Sequence, residues 1–220
     1  MKTMLDWNTI TTVFLDMDGT LLDLNFDNYF WREHVPFRYA QYNGLQVDVA
    51  KQELFPRFRS VEGTMNWYCL DYWSRELGLD IAELKREVDH LIQIHPHVCD
   101  FLSTTRNRGK RVVLVTNAHT KSLELKMERT QLAGHFDAII CAHDIGLPKE
   151  ETDFWNRLQS NEPFNKDTTL LVDDSLPVLR SAAHYGIHHL LAVHKPDTQA
   201  PRKDVAEFRA IHSFDDIMPE

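Results

Sequence analysis

Short apolar runs alternate with amphipathic stretches along most of the chain. Five of these runs predict buried strands, at residues 13–15, 112–115, 138–142, 170–172 and 188–193. Between them, apolar residues recur at the three- and four-residue spacing that is typical of amphipathic helices. Because strands that alternate with helices favour parallel βα units, we expect a Rossmann-like α/β fold with a doubly wound parallel sheet.

One long segment departs from this alternation. Residues 24–94 show helical periodicity and no apolar run comparable to the predicted strands. A helical block that follows directly after the first strand cannot join the sheet. We therefore predict that residues 24–94 form a separate helical cap, and that residues 1–23 and 95–220 form the α/β core.

Within the predicted cap, spacing and helix breakers indicate individual helices. One covers residues 47–58, where Pro56 should kink or end it. A second covers residues 65–77 and stops at the glycine that follows. A third covers residues 81–92, with Asp80 as its N-cap and apolar residues on one face.

In the predicted core, glycines mark where helices end. The longest helix is expected over residues 119–132, closed by Gly134. Shorter ones are expected from Val98 to just before Gly109, over residues 150–159, and over residues 176–185. The chain after Pro196 is polar, and three apolar side chains should pack it back onto the core: Phe208, Ile211 and Ile217.

Charge and cysteine content narrow the possible environments. The 220 residues carry a net charge of −9, which disfavours nucleic-acid polymers and anionic membranes as partners. No apolar run approaches the ~20 residues of a membrane span. The first residues include an early acid and no long apolar region, so we expect no secretory signal there. Three cysteines without paired spacing indicate reduced thiols and a cytoplasmic protein.

Polar side chains follow three of the predicted strands at the point where each strand ends. Two acids follow the first strand, a hydroxyl and an amide the second, and two more acids the fourth: Asp16 and Asp18, Thr116 and Asn117, and Asp173 and Asp174. Lys149 lies in a loop after the third strand. Because the carboxyl ends of parallel strands share one edge of the sheet, we expect all these groups to converge.

This set of side chains is typical of phosphoryl transfer. Asp16 and Asp18 would repel each other unless a cation or a proton lay between them, and Mg²⁺ suits carboxylate and phosphate oxygens. Together the groups supply a nucleophile, a proton donor, a hydroxyl for a phosphate oxygen, an ammonium group and metal ligands. We therefore expect a Mg²⁺-dependent enzyme whose partner is a small phosphate ester.

The same residues resemble the four motifs of the haloacid dehalogenase-like hydrolases. The segment 16–20, Asp-Met-Asp-Gly-Thr, resembles the first motif, and the other three follow in order: Thr116, Lys149 and Asp173-Asp174. The predicted cap resembles the α-helical cap of that family. Segments 24–31, 66–73, 116–119 and 148–150 further resemble its bacterial GMP/IMP nucleotidase branch. One departure is that Pro148 precedes Lys149, whereas many members place a proline after this lysine.

The resemblance implies a role for each motif residue. Asp16 would be the nucleophile that forms an aspartyl-phosphate, and Asp18 the general acid and base, which argues against a dehalogenase. Mg²⁺ would be held by Asp16, the backbone carbonyl of Asp18 and Asp174, with Asp173 holding a metal-bound water. The phosphate oxygens would be bound by Thr116, Lys149 and the backbone N–H of Asn117.

Eight large aromatic side chains crowd two short stretches of the predicted cap. Most should build the cap's own core, but a small cap has little interior for so many rings. A ring that faces the cleft would stack on a nucleobase, so the sequence favours purine nucleoside 5′-monophosphates, GMP and IMP first, as substrates. The candidate contacts are Tyr29, Trp31, Trp67 and Tyr72, with His119 beside the second motif.

Two other functions stay open on sequence alone. A sugar-phosphate phosphatase or a phosphomutase would use the same core, because each needs an acid/base residue at Asp18. A non-catalytic binding domain is the third reading, although the intact motif set argues against it. We expect the protein to be a monomer or a weak homodimer.

Overall fold

The computed structural model describes residues 5–219 and contains the expected parallel sheet. Within these residues the strands are β1 (Thr12–Leu15), β2 (Arg111–Thr116), β3 (Ala138–Cys141), β4 (Thr169–Val172), β5 (His189–Val193) and β6 (Ala210–Ile211). Their order in the sheet is β3-β2-β1-β4-β5-β6, and every neighbouring pair is parallel. The predicted doubly wound parallel α/β fold is confirmed.

Alternate residues of the central strands face opposite sides of the sheet. In β1, Val13 and Leu15 belong to one buried apolar cluster and Phe14 belongs to the other. Helices cover both faces, so side chains pointing either way are removed from water. This two-sided burial is why the strands appear in the sequence as continuous apolar runs.

The last strand, β6, was not predicted. It has only two residues, which pair with Ala192 and Val193 of β5, and two residues are too few to give a periodic signal. The expected packing of the tail is nevertheless confirmed, since Ile211 and Ile217 are buried and Phe208 packs partly buried against the core.

Residues 24–94 are helical, and we call them the insert. Its helices in the described chain are α1 (Asn25–Tyr29), a π-helical turn (Phe30–His34), α2 (Val35–Asn43), α3 (Val47–Ser60), α4 (Met65–Tyr68), α5 (Leu70–Leu77), α6 (Ile81–Glu87) and a 3₁₀ turn (Asp89–Leu91). The division into a core of residues 1–23 and 95–220 and a cap of residues 24–94 stays a prediction.

The prediction of one helix over residues 65–77 is wrong, because Cys69 divides it. Cys69 has extended backbone angles, φ −85° and ψ 109°, and it caps the start of α5. Its Sγ accepts the N–H of Tyr72 at 3.4 Å. A sulfur in this position does the work of a conventional oxygen cap, which sequence patterns do not reveal.

Two other helix boundaries in the insert differ from prediction. α3 continues past Pro56 to Ser60, because a proline removes only one N–H and Leu54 and Phe58 anchor the buried face. The helix predicted over 81–92 ends at Glu87, where Val88 leaves helical geometry. Its predicted N-cap is confirmed, since Asp80 Oδ1 accepts the N–H of Glu83 at 3.0 Å.

The helices that flank the sheet follow the insert along the chain. They are α7 (Val98–Asn107), α8 (Thr120–Thr130), α9 (Ala142–Ile145), α10 (Thr152–Asn161) and α11 (Leu176–Tyr185). α8 ends at Thr130, two residues before the predicted end at residue 132, and Gly134 does not close it. It ends where Gln131 adopts a left-handed conformation with φ 59°, and a separate 3₁₀ turn follows.

The chain leaves the sheet and returns to it along two adjacent crossings. The N–H of Asp23 donates to the carbonyl of Gln93 at 2.9 Å, and the N–H of His95 donates to the carbonyl of Leu21 at 2.9 Å. Nε2 of His95 also lies 3.2 Å from the carbonyl oxygen of Pro196. The two crossings are therefore bonded to each other and to the loop after β5.

Residues 1–4 and 220 lie outside the described residues, so the expectation of no secretory signal rests in part on residues that are not described. Among the helices of residues 5–219, none is both long enough and apolar enough to span a bilayer.

Candidate active site

The structure brings the predicted polar groups together at the carboxyl edge of the central strands. Asp16 follows β1, Thr116 ends β2, and Asp173 follows β4, which is paired with β1. These groups are buried, with 6% of Asp16, 1% of Thr116 and 1% of Asp173 exposed. The expected convergence of the strand ends is therefore observed.

Lys149 lies at the centre of this edge and is 1% exposed. Its ammonium group donates to Asp16 Oδ1 at 2.6 Å, to Asp173 Oδ2 at 2.7 Å and to the carbonyl of Val115 at 2.9 Å. Burial alone would lower the pKa of Lys149, but the charges of Asp16 and Asp173 outweigh it and hold the pKa above its usual range. Lys149 is therefore a fixed cation beside the two acids.

Three carboxylates at this edge form what we call the acidic triple: Asp16, Asp173 and Asp174. One oxygen from each lies within 4.8 Å of the others. Burial raises the pKa of Asp16 to about 6 against the opposing charge of Lys149. Burial, with the charges of Asp173 and Asp16, raises the pKa of Asp174 to about 8. When all three acids are ionised, their negative charge exceeds the positive charge of the neighbouring lysines. A divalent cation would balance this excess.

The members of the acidic triple differ in how their oxygens are engaged. Both oxygens of Asp173 accept hydrogen bonds, from Lys149 at 2.7 Å and from the N–H of Ser175 at 2.9 Å. The carboxylate of Asp174 has a weaker neighbour, Lys203, with its Nζ 3.6 Å from Oδ2. Asp174 is accordingly better placed than Asp173 for direct metal ligation.

Gly19 is the residue that lets the first motif approach Asp174. Its φ is +85°, which disfavours any side chain. A Cβ there would lie 2.8 Å from Cγ of Asp174 and 3.0 Å from Cβ of Pro196. Glycine is thus needed for both its backbone angle and its close approach to this carboxylate.

Asp18 belongs to a buried ionic chain that the sequence analysis missed. Lys126 donates to Asp18 Oδ1 at 2.6 Å and to Asp27 Oδ2 at 2.7 Å, and Lys85 donates to Asp27 Oδ1 at 2.6 Å. Lys85 and Lys126 are 2% and 1% exposed. We call Lys85, Asp27, Lys126 and Asp18 the ionic chain. Lys126 therefore engages Oδ1 of Asp18, and Asp18 is not one of the three acids whose oxygens cluster at the sheet edge.

The pKa values of the two acids in the ionic chain shift in opposite directions. Burial raises the pKa of Asp18 to about 6, although Lys126 opposes this. Burial also disfavours ionised Asp27, but Lys126 and Lys85 outweigh it and hold the pKa of Asp27 well below its usual range. A sequence signal existed, since both lysines fall on the apolar faces of amphipathic helices, where an unpaired lysine is costly.

Asn117 and Glu150 form a second link that the sequence analysis did not predict. Asn117 Oδ1 accepts the N–H of Lys149 at 2.9 Å, and its Nδ2 donates to Glu150 Oε2 at 2.9 Å. The hydroxyl of Tyr68, in the insert, donates to Glu150 Oε1. Burial and the charge of Glu150 raise the pKa of Tyr68, which stays a donor. Glu150 occupies the position after the lysine, where many family members place proline.

A cavity of about 1190 Å³ lies between these groups and the insert. Of the predicted substrate contacts, Trp31, Trp67 and His119 line it. Tyr29 and Tyr72 are not among its lining residues. Tyr29 is 42% exposed, and Tyr72 packs against Trp73 with ring centroids 5.0 Å apart. A consecutive aromatic cluster on short helices sends its rings in several directions, so only some of them reach the cavity.

The cavity has further lining residues that the sequence analysis did not select. On the insert side they include three rings, four cations and three acids: Phe55, Phe58 and Tyr68, then Arg32, Lys51, Arg59 and Lys85, and then Asp27, Glu33 and Glu62. Lys203, from the tail, lies on the core side. The insert side is therefore aromatic with mixed charge, since Lys51 pairs with Glu33 at 2.6 Å, and the base of the cavity is strongly acidic.

Comparisons with known proteins agree with this arrangement. Residues 10–186 match the family described as haloacid dehalogenase-like hydrolase. Over 213 residues the chain is 37% identical to the GMP/IMP nucleotidase YrfG of Escherichia coli strain K12, and the alignment covers 97% of this chain and 96% of that protein.

Solved structures with the same fold cover nearly the whole chain. A HAD phosphatase from Thermococcus onnurineus gives a TM-score of 0.78 at 19% identity, covering 94% of this chain and 96% of that one. The HAD-hydrolase YfnB from Bacillus subtilis, bound to magnesium, gives 0.64 at 16% identity, covering 94% and 96%. These two similarities concern the fold alone. Since the family match spans most of the sequence and includes all four motifs, the chain belongs to the haloacid dehalogenase-like hydrolases.

Proposed function

We propose that this hydrolase is a Mg²⁺-dependent phosphomonoesterase that releases phosphate from purine nucleoside 5′-monophosphates, with GMP and IMP as the first candidates. The observation that carries the proposal is that Asp16 and Asp18 line the same cavity as Lys149 and the aromatic rings of the insert. The E. coli relative, whose name is GMP/IMP nucleotidase, supports the choice of substrate.

In the first step, a carboxylate oxygen of Asp16 forms a bond to phosphorus, and the bond between phosphorus and the ester oxygen breaks. The departing oxygen takes a proton from the carboxyl group of Asp18. Because burial raises the pKa of Asp18 to about 6, a share of this group stays protonated near neutral pH. Lys149 and the hydroxyl of Thr116 would bind phosphate oxygens, and the Lys149 ammonium would exchange one of its three present acceptors for phosphate.

In the second step, ionised Asp18 takes a proton from water, and the water oxygen attacks the phosphorus of the aspartyl-phosphate. The bond between phosphorus and Asp16 breaks, which releases phosphate and restores the carboxylate. Lys126, 2.6 Å from Asp18 Oδ1, stabilises the ionised form that this step requires.

The acidic triple has the donor set of a hard divalent cation, because all of its ligand atoms are carboxylate oxygens. Asp16, Asp174 and the backbone carbonyl of Asp18 would hold Mg²⁺, with Asp173 supporting a bound water. When present, Mg²⁺ offsets the repulsion between a carboxylate nucleophile and a phosphate dianion. The magnesium-bound YfnB structure supports this choice of metal.

The insert side of the cavity suits a nucleotide better than a small sugar. Trp31 and Trp67 offer aromatic faces, and stacking of a base on such a ring contributes roughly 1–3 kcal/mol. Arg32 and Arg59 add positive charge for an anionic ester, whereas Lys51 is paired with Glu33 at 2.6 Å. A sugar phosphate would leave the rings without a stacking partner, which is why we place that alternative second.

The test is a comparison of kcat/KM for GMP, IMP, AMP, CMP and small sugar phosphates. We expect the purine monophosphates to lead, and Asp16→Asn to remove turnover of every ester while the protein stays folded. Trp67→Ala should lower kcat/KM for GMP about 5- to 100-fold, in line with the loss of one stacked base. Tyr29→Ala is the matched control, because this ring lies outside the cavity.

Two outcomes would contradict parts of the proposal. A preference for a sugar phosphate would favour the alternative substrate class on the same catalytic groups. Wild-type turnover by Asp16→Asn would instead remove the aspartyl-phosphate mechanism. The expectations of a cytoplasmic protein and of a monomer or weak homodimer stay predictions.

A further inference from the structure

A second group of metal-ligating side chains lies apart from the acidic triple. Cys69, His119 and His143 each place one ligand atom within 4.8 Å of the others. We call these three residues the Cys/His cluster. Cys69 belongs to the insert, between α4 and α5, whereas His119 caps α8 and His143 lies on α9 of the core. The cluster therefore bridges the insert and the core.

The least satisfied member of the cluster is His143. Both of its ring nitrogens are buried, and neither finds a hydrogen-bond partner among the described residues. Buried polar atoms without partners are uncommon and costly in folded proteins. The ring meets that of His119 edge to face, with centroids 4.8 Å apart, so at least one of its nitrogens is close to the other ligands.

The other two members are held only loosely. His119 Nδ1 accepts a long bond from the N–H of Lys121, at 3.3 Å, and its Nε2 lies 3.7 Å from Asp71 Oδ2. Cys69 Sγ accepts the N–H of Tyr72 at 3.4 Å, and such donors commonly support a metal-bound thiolate. None of these contacts is strong enough to commit the ligand atoms.

The protonation of the histidines suits metal binding. Burial lowers the pKa of His143 to about 4, aided by the neighbouring His119. Burial also lowers the pKa of His119. Both imidazoles are therefore neutral at physiological pH, and each has a lone pair to offer.

We propose that the Cys/His cluster is a zinc site that joins the insert to the core. One sulfur and two imidazole nitrogens match the soft and borderline ligands that Zn²⁺ prefers, whereas Mg²⁺ prefers the oxygens of the acidic triple. Three protein ligands leave a fourth tetrahedral position for a water or for Asp71, beside His119. Bound zinc would hold Cys69 against α8 and α9, next to the cavity.

The site can be tested by titrating Co²⁺ into the protein with excess Mg²⁺ to occupy the acidic triple. We expect one equivalent of Co²⁺ to give a thiolate-to-cobalt charge-transfer band, which Zn²⁺ then removes by displacement. Cys69→Ser and His143→Gln should lose the band. Cys99→Ser, which removes an exposed thiol, should keep it.

A second measurement needs no variant and guards against misfolding. Zn²⁺ should protect Cys69 of the wild-type protein from a thiol reagent at least tenfold, while exposed Cys99 reacts at the same rate with and without metal. Absence of the band in the wild type, its persistence in Cys69→Ser, or equal labelling of Cys69 with and without Zn²⁺ would each overturn the proposal. The readouts do not depend on phosphatase activity.

Discussion

Lys126 Nζ lies 2.6 Å from Oδ1 of Asp18, and the lysine side chain is 1% exposed. A buried cation thus faces the group that we propose as general acid and base. Nothing in the polar strand ends points to this lysine, since it lies on α8, far along the chain. Burial raises the pKa of Asp18, and the charge of Lys126 lowers it.

Replacing this lysine should change both the pH profile and the stability. Lys126 lowers the pKa of Asp18, so Lys126→Met should raise it and move the alkaline limb of kcat/KM to higher pH, because the first step needs protonated Asp18. Loss of one partner from a buried pair should also cost about 3–5 kcal/mol of unfolding free energy.

The matched control is Lys121→Met on the same helix, whose pairing with Asp71 is exposed to solvent. Its effect on unfolding should stay within about 0.5 kcal/mol, with no shift of the pH limb. Denaturant unfolding and pH–rate profiles measure both effects. An unmoved limb in folded Lys126→Met would mean that another group governs the profile.

The role of Asp18 as proton donor makes a prediction about leaving groups. Asp18→Asn should slow hydrolysis of alkyl phosphates by about 10²–10⁴. The loss should shrink for aryl phosphates, because a good leaving group departs with little protonation. Kinetics with a series of esters of graded leaving-group pKa would check this, and an equal loss across the series would assign Asp18 a different role.

Metal-free protein should lose stability as the pH rises from about 7 to about 8, where histidines are largely neutral in both states. Asp174 has a pKa of about 8 when folded and an ordinary one of 3.8 when unfolded. The folded state therefore binds more protons than the unfolded state in this range, so the free energy of unfolding falls as the pH rises and levels off above about pH 8.

Thermal unfolding with a chelator, at several pH values, measures this dependence. Added Mg²⁺ should remove most of it, since a bound cation favours the ionised acids. Asp174→Asn should remove it without metal. Asp174→Ala should weaken Mg²⁺ binding more than Asp173→Ala, and the reverse order would make Asp173 the direct ligand.

Gly19 offers a test of close approach to the metal site. Gly19→Ala places a Cβ 2.8 Å from Cγ of Asp174, so it should displace that carboxylate and weaken Mg²⁺ binding. Gly109→Ala is the control, because Gly109 has a φ of +71° and no atom within 4 Å of its virtual Cβ.

Both variants carry the backbone strain of a side chain at positive φ, about 1–3 kcal/mol. Only Gly19→Ala should raise the Mg²⁺ concentration needed for half-maximal activity. Equal metal dependence in the two variants would show that strain alone explains the loss.

Much of the fold was predictable because its signals are local. The apolar runs of β1, β2 and β4 and the polar residues after them, such as Asp16 and Asp173, lie within a few positions of each other. β6 was not predicted, because a strand of two residues is too short to show alternating apolar and polar positions. The helix break at Cys69 was not predicted, because the apolar spacing continues across it and a sulfur cap has no recognisable sequence pattern.

Apart from Lys149, which lies in a loop, the predicted catalytic and metal-binding residues are those that the chain places at a strand end. Lys126 and Glu150 reach the site through helix packing and a loop, and their partners are over 30 positions away. Tyr29 and Tyr72 show the opposite case. Their residue type suggested contact with the substrate, but neither ring lines the cavity, because of how their helices are oriented. Sequence patterns therefore identify site residues at the ends of strands, whereas the other site residues are determined by tertiary packing.

The paired crossings between the sheet and the insert limit how these parts can move. Asp23 is bonded to Gln93 and Leu21 to His95, so neither crossing can slide past the other. If the insert moved as one body, the simplest motion would be a rotation about an axis through these two bonded crossings. Swinging outward on that axis would part Tyr68 from Glu150 and Asp27 from Lys126. The same motion would then open the cavity to a ligand and remove Asp27 from the lysine that faces Asp18.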